Sequence, residues 1–540
     1  MTQRRQLLNG DAADMPRRWP PSRPALAALA AAVVTAAVFY PVCFHEFVRW
    51  DDPHNFINNP RMHSPSLRDV AWYWHNAYAH LYVPVTYTLW TAVGCVARTG
   101  GALPQELQLN AYVFHALNLL VHLASAALVC RILLKMGASA AAAAFGAVFF
   151  AVHPVQVEAV AWASGTKDLL AGMFGLAAIC TFAFTPDPRI ASRQYLQSTA
   201  LFALAMLSKP SAVVVPLVTA ALALVYDNQH MRQRLRRLAW PMALWLVLAV
   251  PVVIIGRLVQ PAESLRFVPP AWSRPVIAAD ALAFYLGKIA APVHLAIDYG
   301  RSPQHVLSSG TVWITVPAAL LTGAVVVIVR RWWAAPAAGA AVLAAGVLPV
   351  LGLVSFDFQS YSTVADHYLY LPMLGPAIVL AGAIDRWRNT LVLAICAAAL
   401  AALAARSRIQ AEVWRDSRTL FEHTLKVNPD SRAAGVNLAT ELAAEAHMLA
   451  SAGRAEEAIA MYDRAVALDR HVLEKFPWDP HARRALAEMH TARGAIIAAL
   501  LKDLPRAVGE FEEALRYDPQ YVPARENLEK ARRLLRRTDR

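Results

Sequence analysis

Charge is scarce in this chain: only 16% of its 540 residues are Asp, Glu, Lys or Arg, against 57% that are hydrophobic. That supply cannot cover the surface of a large water-soluble protein, which excludes an ordinary soluble globule. Cysteine is scarcer. The five, Cys43, Cys95, Cys130, Cys180 and Cys396, all lie within or beside apolar segments. A disulfide framework is excluded, and buried packing remains. No zinc-ligand spacing, P-loop or dinucleotide fingerprint occurs. The N-terminus lacks a signal-peptide cleavage pattern, so its long apolar run reads as a retained first helix.

The charge that is present is unevenly placed. Residues 24–405 are mostly apolar blocks. Residues 406–540 are charged, Ala-rich and helical in pattern, and residues 1–23 form a short basic tail. This describes an all-α polytopic membrane protein with a soluble helical domain at its C-terminal end. A net charge of +13 would suggest nucleic acid in a soluble protein. Here much of the arginine sits in short loops between apolar runs, so the expected partner is membrane lipid and no nucleic acid.

Eleven apolar runs read as crossings: 24–43, 109–134, 138–152, 168–184, 195–208, 210–227, 239–257, 311–330, 333–354, 368–384 and 390–405. Two further stretches, 82–97 and 276–292, read as helices lying at the outer interface or re-entering, because counting either as a crossing would put a basic loop outside. Arg4, Arg5, Arg17, Arg18 and Arg23 precede the first run and hold the N-terminus in the cytoplasm. The four-arginine loop at 228–238 falls inside as well. The odd count leaves the C-terminal domain outside. The outer face then collects the unusual polar sequence and the inner face the short basic loops.

Asp51 and Asp52 follow the first run directly, in FVRWDDPHNFINNP. An acidic pair beside a bilayer is poorly solvated, and such pairs carry tasks. The alternative is helix capping and turn formation by Asp-Asp-Pro. In the tail, FEHTLKVNP at 421–429, YDRAVALDR at 462–470 and FEEALRYDP at 511–519 resemble one another. GRAEEAIAMYDRAVALD at 453–469 has the pattern of one helix of a tetratricopeptide repeat, although the spacings of 41 and 49 residues exceed the regular 34. A generic helical hairpin bundle is the alternative.

Five motifs carry a family resemblance: FVRWDDPHNFINNP at 47–60, NAYVFHALNLLVHLASAAL at 110–128, AVHPVQVEAVAWASGTKDLLAGMF at 151–174, LAMLSKPSAVVVPLV at 204–218 and ADHYLYLPMLG at 365–375. In this order the chain resembles the transmembrane and tetratricopeptide repeat-containing protein O-mannosyltransferases and their bacterial relatives, membrane glycosyltransferases of the GT-C group. The resemblance covers roughly 25–230, 366–372 and the repeats. It departs from the family at His367, where members often carry Arg, and at Arg470, where Pro is usual. It implies an all-helical membrane domain with the catalytic acid in the first outer loop. It also implies a polyprenyl-phosphate sugar as donor, mannose or a similar hexose, and a protein or glycan hydroxyl as acceptor. The implied location is a bacterial inner membrane, with the repeats outside.

Such a transfer needs a base, a group to receive the leaving phosphate, and a pocket for the sugar. Asp52 or Asp51 suits the base, with Asp52 favoured because the acid of similar enzymes lies just past the first span. Lys167 fits a phosphate contact, the alternative being an interfacial lysine reaching outward. Glu158 would orient the pocket or pair with Lys167. Asp366, His367 and Tyr368 would meet phosphate or sugar, or pack against the first loop. Arg301 and Lys209 are weaker phosphate candidates. Trp50, Trp72, Trp74 and Trp162 read as interfacial anchors first and sugar platforms second. His54, His63, His75 and His80 near the acidic pair raise a divalent metal as the alternative, but their spacing matches no ligand template, so no cofactor is expected. Two other functions compete: a transporter of envelope glycoconjugates, and a scaffold whose tail recruits partners. Nearly all charges lie outside the apolar runs, which disfavours a transporter.

Overall fold

A computed structural model describes residues 24–100, 108–184, 192–226, 231–260, 267–354 and 356–538. The N-terminal tail at 1–23, and residues 228–230 of the basic loop, lie outside the described residues. The chain divides into two compact units. One comprises Met1–Ile297 with Arg301–Arg415, and the other Asp298–Gly300 with Asp416–Arg540.

Among the helices of the first unit are α1 Pro24–Phe39, α2 Leu67–His75, α3 Pro84–Ala97, α4 Ala111–Lys135, α5 Ala140–Val152, α6 Val157–Ala161, α7 Thr166–Phe182, α8 Arg193–Ser208, α9 Val215–Tyr226, α10 Met231–Leu258, α11 Arg274–Ala290, α12 Val312–Val329, α13 Ala334–Val347, α14 Leu374–Trp387 and α15 Thr390–Glu412. A two-residue antiparallel pair, β1 Arg98–Thr99 with β2 Gln108–Leu109, joins the ends of α3 and α4. Helix starts follow side-chain capping: Asn110 accepts from the Tyr112 N–H, Ser139 from Ala142, Ser192 from Tyr195 and Asn389 from Val392.

Among the described residues, five helices are long and apolar enough to cross a bilayer: Pro24–Phe44, Ala111–Lys135, Leu235–Leu258, Val312–Val329 and Thr390–Glu412. The chain is therefore a helical membrane protein. A bent pair, Ala140–Val152 with Pro154–Ala161, turns by 51° and would make a sixth. The bend has a local cause. Pro154 pushes the residue before it out of the helical region, and His153 sits at φ −69°, ψ 133°. The other apolar runs give shorter helices. α7 has 17 residues and α8 has 16. The stretches at 82–97 and 276–292 are α3 and α11.

Apolar helices with little protein around them mark the lipid-facing side. Only 6% of the apolar window of α12 and 11% of that of α15 is buried inside the unit, against 56% for α4. The interior is built on α4, which packs against α1, α5 and α7, while α14 packs against α5 and α13. α13 and α14 approach backbone to backbone. A Cβ on Gly339 or Gly375 would strike the other helix's carbonyl, so small residues are required there.

After α1 the chain does not wander as an open loop. It folds into a compact aromatic cluster of Phe56, Tyr73, Tyr87, Trp90 and Phe114. Tyr73 and Tyr87 stack at 4.4 Å. Asn59 donates to the Tyr73 hydroxyl at 2.9 Å, and the Tyr87 hydroxyl donates to Asn55 Oδ1 at 3.2 Å, so both stacked tyrosines have partners for their buried hydroxyls.

Among the described residues, the second unit has six α-helices: α16 Ser417–Val427, α17 Arg432–Ser451, α18 Ala455–Lys475, α19 Pro480–Ile496, α20 Leu504–Tyr517 and α21 Val522–Thr538. Each packs on the next. Asp416, Ser431, Asp479 and Asp503 cap α16, α17, α19 and α20. In α19 the cap is followed by Pro480 at the first helical position, where a missing N–H costs nothing.

Candidate functional site

The two aspartates occupy opposite environments. Asp52 is fully buried and its carboxylate is enclosed by donors. Oδ2 accepts from the Val48 N–H at 2.9 Å, and Oδ1 accepts from the Ser164 N–H at 3.0 Å and the Ser164 hydroxyl at 2.5 Å. Burial pushes the Asp52 carboxyl up to about 7, against the pull of those three bonds, and neighbouring Asp51 adds to the rise. Asp51 remains 41% exposed, and its Oδ2 accepts from Lys167 Nζ at 2.8 Å.

Lys167 does not reach outward. Its side chain is 8% exposed, and its ammonium lies 4.5 Å from the centre of the Trp162 ring. The reading of Lys167 as an interfacial lysine fails on that burial. Trp162, at 3% exposure, is likewise no interfacial anchor. Trp74 is exposed, and Trp72 carries the Arg61 guanidinium at 3.8 Å.

The turn that presents Lys167 is built by side chains that sequence reasoning passed over. Asn118, buried in α4, donates to the Trp162 carbonyl at 2.7 Å and accepts from the Thr166 hydroxyl at 2.6 Å. Asn55 donates to Ser164 Oγ at 2.9 Å, tying the first loop to the second. Gly165 is required here, because a Cβ would run into the Ala159 carbonyl. The available signal for Asn118 was its place among the few polar residues, with His115, His122 and Ser125, inside a long apolar run.

Glu158 does not pair with Lys167. Its Oε2 accepts from the backbone N–H groups of Asp366 and His367 at 3.0 and 3.2 Å, and Oε1 meets His367 Nδ1 at 2.7 Å. It clamps the 366–368 turn against the second loop. Asp168 pairs with Lys209, Nζ to Oδ1 at 2.5 Å, and Lys209 lies 5.6 Å from the centre of the Tyr368 ring. Burial holds the Lys209 ammonium below its ordinary value, although Asp168 opposes the shift. The fold thus gathers Asp51, Asp52, Glu158, Lys167, Asp168, Lys209, His367 and Tyr368. Arg301 is committed elsewhere: its guanidinium pairs with buried Asp280 at 2.5 Å, and Asp280 also accepts from Thr315 at 2.7 Å.

Among the described residues, no group of three or more His, Cys, Asp or Glu side chains is arranged to hold a metal ion. His63, His75 and His80 instead meet the carbonyls of Ile57, Ala71 and Val259. The arrangement provides one accessible carboxylate, one enclosed ammonium beside it, and a second acid–ammonium pair in the adjacent position. No protein-family model, curated protein or solved structure matches the chain.

Proposed function

We propose that the chain is a polytopic membrane glycosyltransferase of eleven spans, with a tail of tetratricopeptide-like repeats. It moves mannose or a similar hexose from a polyprenyl-phosphate carrier to a hydroxyl of a protein or other envelope acceptor. The reaction runs on the outer face of a bacterial inner membrane, and no metal or other cofactor takes part. One observation carries the reading: accessible Asp51 bonded to enclosed Lys167, inside a unit built of apolar helices. A transfer that expels a phosphate needs an open base close to a sheltered cation.

Asp51 takes the proton of the acceptor hydroxyl. The acceptor oxygen bonds to the anomeric carbon, the bond from that carbon to the phosphate oxygen breaks, and its electron pair leaves with the phosphate. Lys167 offsets the charge that develops there. Because Lys167 begins in contact with Asp51, an arriving phosphate competes for the same ammonium and frees the base as the donor is held. Asp52 is a positioning residue: it fixes Ser164, three residues before Lys167. In the tail, a groove of about 400 Å³ lined by Leu425, Leu438, Leu442, Leu468 and Val472 suits an extended acceptor polypeptide, with Arg464 and His471 in its wall.

The test is transfer itself. Membranes bearing the protein are incubated with radiolabelled undecaprenyl-phosphate mannose and an envelope-protein extract. Label passing to protein or glycan is the expected result. Label that stays on lipid with every hexose tried overturns the reading.

A further inference from the structure

Asp168, next to Lys167 in sequence, lines a small cavity that the transfer chemistry leaves unused. Asp168, Gly172, Ser211, His367, Tyr368 and Pro372 are among its walls. The Asp168 side chain is 6% exposed. Its Oδ1 is taken by Lys209, while buried Oδ2 has no hydrogen-bond partner. An ionised carboxylate oxygen left unpaired in a buried place is costly, so a donor is expected to fill the position.

The chemistry of that donor follows by exclusion. An anion would face the Asp168 carboxylate. A cation would face Lys209, already bonded to Asp168, and Lys167 next in sequence. A neutral O–H donor remains. Size narrows it further. The cavity has about 40 Å³ open to the centre of a water molecule, enough for roughly three waters. It admits one or two ring substituents and excludes a whole hexose. We infer that this cavity is a hydroxyl subsite, in which Asp168 Oδ2 accepts a hydrogen bond from one sugar hydroxyl of the lipid-linked donor. The inference rests on the proposed transferase reading. It makes Asp168 a residue that selects the sugar, distinct from the base and from the phosphate contact.

Binding can be read without turnover. The full chain in lipid nanodiscs is titrated with undecaprenyl-phosphate mannose and with bare undecaprenyl phosphate. The wild type should bind the sugar-bearing lipid more tightly. Asp168→Asn should lose roughly 10- to 100-fold of that affinity, the range for a hydrogen bond to a charged group, and bind the bare lipid as before. Ser211→Val keeps the Asp168–Lys209 pair and narrows the cavity. It should show the same selective loss, and it covers the case in which Asp168→Asn fails to fold. A hydroxyl supplied by the acceptor instead would leave both lipids bound alike by wild type and variants, and would overturn the assignment to the donor. Retention of the full sugar preference in both variants would make the cavity a water site and overturn the subsite. Loss of binding to both lipids in the wild type would overturn the lipid-phosphate reading together with it.

Discussion

Asp51 and Asp52 are neighbours in sequence with different surroundings, because the turn they share sends one side chain into the protein and leaves the other at its surface. Asp51→Asn keeps the shape of the side chain and cannot take a proton. Transfer should fall roughly 10²- to 10⁴-fold with thermal stability unchanged. Asp52→Asn should behave differently. Its amide must turn an N–H₂ toward either Val48 N–H or Ser164 N–H, two groups that can only donate. The loss of stability should be about 1–3 kcal/mol, visible as a lower melting temperature. If Asp52→Asn abolishes transfer at native stability while Asp51→Asn remains active, the two roles are reversed. Lys167→Met should raise the apparent KM for donor if the ammonium holds phosphate throughout, and lower kcat if it meets only the leaving group; unchanged kinetics would remove it from the site. The acidic pair and Lys167 were legible in sequence because charge beside apolar runs stands out. Their contact was not, since it closes 116 residues of chain. Burial, which separates Asp52 from Asp51, is not written in the sequence: Val48 and Ser164 enclose Asp52 and leave Asp51 as the open carboxylate.

At the scale of elements, helix existence was legible from apolar blocks, while function of a block was not. An apolar stretch of 14 to 17 residues reads alike whether it crosses a bilayer or packs inside a bundle. α3 is the clear case: its Tyr87 and Trp90 bury in an aromatic cluster that no single stretch of sequence announces. The start of α10 at Met231, inside the arginine-rich stretch, follows from the good helix propensity of Arg and Gln. Two predictions belong here. Asn118→Leu leaves the Trp162 carbonyl without its 2.7 Å partner and should loosen the turn carrying Lys167. Hydrogen exchange across 158–168 should quicken, with α1 unaffected; an unchanged pattern would mean that backbone contacts alone hold the turn. In the tail, Asp469 on α18 is buried with both carboxyl oxygens unpartnered, and burial, aided by the Asp479 carboxylate, pushes it up to about 8. An unfolded aspartate releases its proton near 4. Between those pH values the folded tail holds a proton that the unfolded chain has lost. The stability that Asp469 contributes is therefore full below about pH 4 and is lost as pH rises to about 8. Protection factors of α18 amides should decline from pH 5 to 8 in the full chain, and Asp469→Asn should flatten that slope. A slope unchanged in the variant would assign the titration to another group.

At the scale of the whole molecule, contacts between loops constrain how often the chain crosses the membrane. Asp51 touches Lys167, so an even number of crossings must separate residues on the same side. Helix α4 supplies one, and the bent run beginning at Ala140 is the element available for the second. Glu158 touches His367, so the crossings between those two must also be even. The five long helices taken alone fail the first condition, since only α4 lies between residues 51 and 167. Eleven crossings meet both conditions and keep the 228–238 loop and Arg330–Arg331 on the inner side, as positive charge prefers. Six crossings, the long helices plus the bent run, also meet both conditions, but they send that loop and Arg330–Arg331 outside and return the C-terminus to the cytoplasm. A reporter active only in the cytoplasm, fused after Arg540, separates the two. It should stay silent, while a reporter active only outside should signal. Strong cytoplasmic activity would establish an even count, withdraw the tail from the outer face, and leave the groove at Leu438 and Leu468 to a cytoplasmic partner instead of an acceptor.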